Sequence, residues 1–147
     1  MTTAQDIFDA AIAMMDEMND EGKTDHGDTI EYKNRTLPIL NVLRGELYIY
    51  SDSYEMAGDG RPIAAKIEDF TRPLELDDYI CQSVMPYGLA AHLLMDENPT
   101  SANFFQQRYD ELKEGLKKGY PAMGSEDIAD VYGCRGGINP YNEFSRW

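Results

Sequence analysis

Residues 77–118 carry two apolar stripes with helical spacing, and they constrain the fold of this chain more than any other segment. In each stripe the apolar residues recur at alternating steps of four and three, which is the spacing of one face of an α-helix. The first stripe consists of Ile80, Val84, Tyr87, Ala91 and Leu94, and the second of Ala102, Phe105, Tyr109, Leu112 and Leu116. The pattern predicts two amphipathic helices whose apolar faces contact each other or a partner.

The joint between the two stripes contains residue types that begin a helix. Asn98 is a preferred N-cap residue, and Pro99 is favoured at the first helical position because its missing N–H would have no intrahelical partner there. Gly119 then marks the end of the second helix. We therefore predict a helical hairpin over residues 77–118.

The composition of the chain limits its partners. The 147 residues fit one domain with a substantial buried core. The sequence has 13 Lys and Arg against 27 Asp and Glu, a net charge of −14. Nine acidic residues and one basic residue lie within the first 31 positions, so that segment alone has a net charge of −8. Because such a surface repels phosphates, the composition argues against specific nucleic-acid binding and against contact with an anionic membrane.

No segment of the sequence predicts a membrane span, a secretory signal or a redox site. The longest uncharged run, residues 79–95, has 17 residues and includes polar ones, whereas a spanning helix needs about 20 mostly apolar residues. The beginning MTTAQDIFDA has no basic start followed by an apolar block. Cys81 and Cys134 each stand alone, which favours free thiols in a reducing compartment. We therefore expect a soluble protein.

A first helix is predicted on the N-terminal side of the hairpin, over residues 3–19. Thr3 is a candidate N-cap residue, and Asp6 occupies the third helical position, as in a capping box. We expect this helix to end at Gly22. Its apolar face would consist of Phe8, Ala11, Met15 and Met18.

A second helix is predicted between residues 30 and 50, where the apolar stripe is looser. Pro38 interrupts it, and because the apolar spacing continues on both sides, we expect a kink near Thr36 rather than a break. Residues 51–73 then form a long connection, since glycines and prolines punctuate them. These punctuating residues are Gly58, Gly60, Pro62 and Pro73.

Residues 120–147 differ in composition from the rest of the chain and are predicted to form an extended arm. They are rich in glycine and aromatic residues and have no long apolar stripe. Because disordered segments are usually poor in aromatics, we expect the arm to pack on a partner or on its own domain. The sequence thus divides into a helical domain over residues 1–119, with about four helices in an antiparallel bundle and a mainly α fold, and the arm. The predicted partner-binding anchors are Ile128, Tyr132, Tyr141, Phe144 and Trp147.

No grouping of residues predicts a catalytic or metal site. His26 and His92 are far apart in the sequence, and only Asp96 stands at helical spacing from His92. The Gly58–Gly60 and Cys134–Gly137 segments lack the strand-to-helix context of a phosphate loop, and no GxSxG motif is present. We therefore predict a protein without enzymatic activity, cofactor or metal.

The acidic residues leave an alternative open. Asp6, Asp9, Asp16 and Asp20 are predicted on the face of the first helix that points away from its apolar stripe. A protein that mimics DNA would present its carboxylates in this way, although a solvated helix face explains the same spacing. An acidic regulatory protein or DNA mimic is therefore the alternative to a structural role.

The segment YGLAAHLLMDENPTSANFFQQRYDEL, residues 87–112, resembles the head-tail connector, or neck adaptor, proteins of tailed bacteriophages and prophages. The similar features are an apolar helix with a YGLAA turn, an acidic joint with proline, and a helix with Phe-Phe and Arg-Tyr pairs. The resemblance extends to Phe70–Asp78, Thr36–Asn41 and Ile128–Gly133. The glycine-rich, aromatic ending departs from it, which leaves open which surface would meet which neighbour.

The resemblance implies a small, mainly helical subunit without enzymatic activity that assembles into a ring beneath the portal and joins the DNA-filled head to the tail. Its partners would be other copies of itself and the portal and tail proteins. It would reside in the virion neck and, during assembly, in the bacterial cytoplasm. A negatively charged lumen would let DNA pass without binding, and the acidic N-terminal helix is the candidate to line it.

Overall fold

The computed structural model describes residues 1–51 and 65–119, and these residues form five α-helices. Short 3-10 turns at Gly27–Thr29 and Tyr48–Tyr50 flank the second of them. Within the described ranges there is no β-strand, only one isolated antiparallel β-bridge. The prediction of a mainly α helical bundle is confirmed. The helices are α1 (Ala4–Met14), α2 (Ile30–Leu47), α3 (Asp78–Ser83), α4 (Met85–Leu94) and α5 (Pro99–Gly119).

Helix α1 begins where the sequence predicts and ends earlier. The Thr3 hydroxyl accepts a hydrogen bond from the Asp6 backbone N–H, and the Asp6 carboxylate accepts one from the Thr3 N–H at 2.8 Å. These two bonds complete the predicted capping box. The helix ends at Met14 because Asp16, two residues later, adopts a left-handed conformation with φ 60°. The predicted end at Gly22 is therefore wrong.

Helix α2 continues through Pro38 over 18 residues, so the prediction that the proline would not break the helix is confirmed. The Thr36 hydroxyl donates to the Tyr32 carbonyl at 2.8 Å, which satisfies a buried polar group within the helix. Ile30, which the sequence places in the apolar stripe, is 55% exposed. The inward face of α2 consists of Tyr32, Thr36, Leu40, Leu43 and Leu47, all buried.

The first helix of the predicted hairpin is divided in two at Val84, which lies between α3 and α4 with φ −108°. Pro86 explains the division, because it has no N–H to donate to the carbonyl four residues earlier and its ring collides with that carbonyl. Apolar periodicity alone predicted one continuous helix and missed this break. The stripe itself is confirmed, since Ile80, Val84, Ala91 and Leu94 are all buried.

Helix α4 lies at the centre of the fold. It contacts α1, α2, α3 and α5, and its contact with α5 is the most extensive between any two of these helices. At Gly88 a Cβ atom would come within 3.0 Å of the Leu43 and Tyr109 side chains, so glycine allows α2 and α5 to approach α4 closely. The predicted hairpin of two facing apolar stripes is thus confirmed. The buried residues of α4 are Met85, Pro86, Gly88, Leu89, Ala90, Ala91, Leu93 and Leu94.

Residues 65–76 form an irregular segment with turns, the strap, which side chains of α2 hold in place. The Asn41 amide donates to the Ile67 carbonyl at 2.9 Å and accepts from the Ile67 N–H at 2.8 Å. Arg44 donates to the Ala65 carbonyl. The strap is therefore attached to α2 through its backbone, without belonging to a helix or a sheet.

The N-terminal end of α1 holds the other half of the strap. Gln5 N donates to the Phe70 carbonyl, and Leu74 N donates to the Thr2 carbonyl, both at 3.1 Å. The strap is the described part of the predicted long connection, whereas residues 52–64 lie outside the described residues. Its buried apolar side chains are Ile67, Leu74 and Leu76.

Candidate functional site

The predicted partner anchors all belong to residues 120–147, which lie outside the described residues. Their role in binding a partner therefore stays a prediction, as does the alternative that the arm packs on its own domain. The anchors concerned are Ile128, Tyr132, Tyr141, Phe144 and Trp147.

Both histidines bond to backbone carbonyls. His26 Nε2 lies 2.8 Å from the Glu17 carbonyl oxygen, and His92 Nδ1 lies 2.7 Å from that of Gly88. Because a carbonyl oxygen only accepts, each of these ring nitrogens carries the hydrogen. Among the described residues, no group of three or more His, Cys, Asp or Glu side chains is arranged to hold a metal ion. Each imidazole therefore stabilises its local backbone.

Cys81 is a free thiol that is fully buried in α3. Burial raises the pKa of this thiol to about 12. The sulfur therefore stays protonated at neutral pH, and its environment is that of an unreactive core cysteine. Cys134 lies outside the described residues.

A polar cluster fastens α2 to α5. Glu46 Oε2 accepts a hydrogen bond from the Tyr109 hydroxyl at 3.0 Å and pairs with Lys113 Nζ at 2.9 Å. The bond from Lys113 lowers the pKa of Glu46, while burial, followed by the Glu46 charge, raises the pKa of Tyr109. At neutral pH the phenol is therefore a donor and the carboxylate an acceptor. The cluster joins two helices and leaves no free general base.

A second polar link joins α2 to the end of α4. The Tyr32 hydroxyl donates to the Glu97 carboxylate, and Arg35 Nη2 donates to the Leu93 carbonyl at 3.0 Å. The Arg35 guanidinium also lies over the Tyr32 ring, 5.8 Å from its centroid. Burial raises the pKa of Tyr32, so this phenol too remains protonated. These polar side chains position α2 against the hairpin.

Arg44 carries a buried charge, with 3% of its surface exposed. Its guanidinium donates to the Ala65 carbonyl and lies 3.5 Å from Glu75 Oε2, while no described group accepts from its Nε. Glu75 adopts a left-handed conformation with φ 55°. A buried charge without a partner costs several kcal/mol, so the strap, which supplies both of these acceptors, stabilises Arg44.

A cleft of about 380 Å³ opens beside the C-terminal half of α5. Tyr79 lies in its lining and is 61% exposed. Two of the lining residues carry carboxylates that have partners within the chain. Asp77 accepts a hydrogen bond from the Ser51 hydroxyl at 3.1 Å, and Glu111 pairs with Arg108 at 2.9 Å. The lining consists of Tyr50, Asp77, Tyr79, Ile80, Glu111, Leu112, Gly115 and Leu116.

The outer face of α5 presents an aromatic ring to solvent. Phe104 is 61% exposed, whereas its neighbour Phe105 is 8% exposed, because successive helix residues point about 100° apart. Arg108, one turn further along, pairs with Glu111 at 2.9 Å. Helical spacing of apolar residues identifies the positions that face inward, so it predicted a role for neither Phe104 nor Tyr79. The signal was present, since each is a large apolar residue adjacent to the stripe and outside its spacing.

The acidic residues of the N-terminal segment do not form one array on α1. Asp16 and Asp20 follow the end of the helix. Asp6 caps α1, and the hydrogen bonds from Thr3 lower its pKa. Asp9 accepts hydrogen bonds from two neighbouring side chains. The expectation that four carboxylates line one face of the first helix is therefore wrong.

Comparison with protein-family models, with curated proteins and with solved structures finds no match to this chain. The resemblance of residues 87–112 to connector proteins therefore stays a prediction. Among the described residues, no helix combines the length and apolar character needed to cross a membrane.

Proposed function

We propose that this chain is a structural, non-enzymatic subunit of the neck of a tailed bacteriophage, a head-tail connector that links the portal to the tail. The observation that carries the proposal is the place of residues 87–112, the segment that resembles connector proteins. Its inward side chains, such as Leu89 and Phe105, are buried in the hairpin core, while Phe104 is 61% exposed. Buried inward side chains together with an exposed aromatic ring are expected of a subunit that folds around its hairpin and binds its neighbours through the outer face.

A ring of such subunits needs two different surfaces, because one patch on each copy meets a different patch on the next. In this proposal the outer face of α5, with Phe104, is one of them. The predicted anchors in residues 120–147 supply the other and also contact the portal or tail.

The partners in this proposal are other copies of the chain and the portal and tail proteins. The site of action is the virion neck, reached from the bacterial cytoplasm during assembly. The net charge of −14 is compatible with a conduit, since DNA would pass through the ring without being retained.

Co-assembly with a portal protein tests the proposal. The portal protein encoded near this chain would be purified and mixed with it, and complexes would be imaged by electron microscopy. We expect ring-shaped complexes with the unmodified chain and fewer with Phe104→Asp. Neighbouring genes with no portal, capsid or tail function, or a chain that joins no portal complex, would contradict the proposal.

The role of the arm needs a separate variant. Combined replacement Tyr141→Ala, Phe144→Ala and Trp147→Ala removes three predicted anchors without altering the described helices. If the arm docks on a partner, complexes are lost while the melting temperature of the free chain is unchanged. A lower melting temperature of the free chain instead assigns the anchors to packing on their own domain.

A further inference from the structure

From Asn34 to Ile49, the outermost line of α2 and of the turn that follows it carries no charge, in a chain whose net charge is −14. Glu31, one turn before Asn34, is the exposed charge at the start of the same line. The outward residues follow steps of four, four, three and four, so they lie on one line of the helix, opposite the buried face. Exposed helix faces of globular proteins normally carry charged side chains. We name this surface the neutral stripe, and it consists of Asn34, Pro38, Val42, Gly45 and Ile49, the last in the turn that follows α2.

The neutral stripe is apolar and able to accept a close neighbour. Val42 is 59% exposed and Ile49 is 47% exposed. Between them, a Cβ atom added at Gly45 would meet no atom of the described residues within 4 Å. Glycine inside a helix costs about 1 kcal/mol relative to alanine, and no contact with residues 1–51 or 65–119 requires it here. A second helix that packs against the stripe would use the space that Gly45 leaves.

The charges beside the neutral stripe are self-complementary in one orientation only. Arg35 and Glu46 are separated by 11 residues, or three helical turns, so they lie on the same flank of the stripe. If two copies of α2 align antiparallel about a two-fold axis at the level of Asn41, Arg35 of each copy comes beside Glu46 of the other. A parallel two-fold alignment would instead place the two flanks on opposite sides of the interface, so Arg35 and Glu46 would not pair between copies. Both side chains are partly exposed, with 42% exposure for the Glu46 side chain.

We propose that the neutral stripe is a self-association surface, on which a second copy of this chain packs its own α2 antiparallel about a two-fold axis near Asn41. A second copy is the occupant because two chains of net charge −14 repel each other least where the surface is uncharged. The paired flanks then fix the orientation. Since a two-fold contact closes at two copies, this dimer is a state of the free subunit and does not rest on the connector function.

The surface area that the two copies bury limits the affinity of the dimer. The stripe is ~24 Å long and a helix is ~10 Å wide, so two copies bury on the order of 500 Å² together. Stable interfaces bury at least about 1,200 Å². The dimer is therefore weak and concentration-dependent, and larger interfaces can replace it.

Single-cysteine crosslinking tests the orientation. In a chain with Cys134→Ser, Val42→Cys places a thiol next to the axis, whereas Ile49→Cys places it roughly 20 Å from its symmetry mate. Met95→Cys is the control, because that position after the end of α4 is equally exposed and belongs to no proposed contact surface. Under mild oxidation we expect Val42→Cys to form disulfide dimers at least about tenfold faster than the other two. Equal rates at the three positions, faster crosslinking at either control, or no dimer at all would overturn the proposal.

Sedimentation of charge variants tests whether the neutral stripe is the surface through which two copies associate. Val42→Asp brings two carboxylates together near the axis, and we expect it to weaken the dimer at least about tenfold. Met18→Asp adds the same charge at an exposed apolar position outside α2 and should leave the dimer intact. If Met18→Asp weakens the dimer as much, or Val42→Asp leaves it unchanged, the stripe is not the contact. Neither experiment includes a portal protein, so the result is independent of the connector proposal.

Discussion

The α4–α5 hairpin and the strap both place apolar side chains in the core, yet different interactions hold them. In the hairpin, Leu89 and Phe105 expose 0% and 8% of their surface, and apolar contact along two helices fixes their position. In the strap, Ile67 is 3% exposed, but its backbone is fixed by the single amide group of Asn41. The hairpin thus depends on a repeated pattern, and the strap depends on individual side chains of other elements.

This difference has consequences for stability. Apolar burial is summed over many residues, so the hairpin should unfold only with the whole domain. Each hydrogen bond to the strap contributes only about 1 kcal/mol, and a few such bonds can open locally while the helices persist. The strap should therefore detach before the hairpin unfolds.

The largest effect is expected when the hairpin core is truncated. Leu89→Ala removes a fully buried side chain from α4, the central helix, and leaves a cavity in the core. We expect a loss of about 2–5 kcal/mol in the free energy of unfolding, measured by chemical denaturation. Met95→Ala, at a position that is 58% exposed, is the matched control and should change stability by less than about 0.5 kcal/mol. Similar losses from the two variants would contradict a core centred on α4.

A smaller and more local effect is expected at the strap. Asn41→Ala removes both side-chain bonds to Ile67 and leaves its backbone groups buried without partners, which should cost about 1–3 kcal/mol. Hydrogen exchange should show lost protection of the Ile67 amide, with protection of α4 largely retained. The control is Asn34→Ala, on the outer face of the same helix. Equal loss of protection in α4 and the strap would mean that the strap cannot open alone.

The N-terminal attachment of the strap can be weakened through the capping box of α1. Thr3→Ala removes the hydroxyl that accepts from Asp6 N, and such a change typically costs about 1 kcal/mol. Because Gln5 N donates to the Phe70 carbonyl, fraying of the first turn should also speed hydrogen exchange at the Gln5 amide. Thr3→Ser keeps the hydroxyl and should behave like the unmodified chain. Equal destabilisation by both substitutions would argue against the cap.

The hairpin could be predicted from sequence because its information is local. Alternating steps of three and four specify a buried face whatever the rest of the chain does. The break at Val84 was missed because the apolar pattern continues across it, although Pro86 was visible. The early end of α1 was missed for another reason. It depends on the left-handed conformation of Asp16, which no periodicity encodes.

The strap could not be predicted, because its contacts connect distant parts of the sequence. Asn41 reaches 26 residues along the chain to Ile67, and Arg44 reaches 21 residues to Ala65. An asparagine and an arginine on a helix do not reveal which carbonyl they will meet. Arg44 is buried because the strap supplies its acceptors, so its burial could not be predicted from the sequence either.

The surfaces of the candidate site were only partly accessible from sequence. The aromatic content of residues 120–147 predicted partner-binding anchors there, but these residues lie outside the described residues. Phe104 and Tyr79 belong to the described surface and were missed, because a search for apolar stripes asks which residues face inward. The useful signal was a large apolar residue that lies outside the stripe, on an otherwise polar face.

The smallest effect is expected at Glu46, the polar link between α2 and the hairpin. The bond from Lys113 lowers the pKa of Glu46 in the folded state below its unfolded value. Its stabilisation is therefore complete above the unfolded pKa and is lost as the pH falls through the folded pKa. Because the side chain is 42% exposed, the contribution is below about 1 kcal/mol.

Urea unfolding as a function of pH measures this contribution at Glu46. Glu46→Gln should be less stable than the unmodified chain at about pH 6, and the difference should shrink towards about pH 3.5. Glu31→Gln, at the exposed start of the same helix, controls for the loss of one negative charge. If the two variants follow the same curve, the ion pair with Lys113 adds nothing measurable. Apolar burial alone would then hold α2 against the hairpin. The helices would differ more clearly from the strap, which hydrogen bonds hold in place.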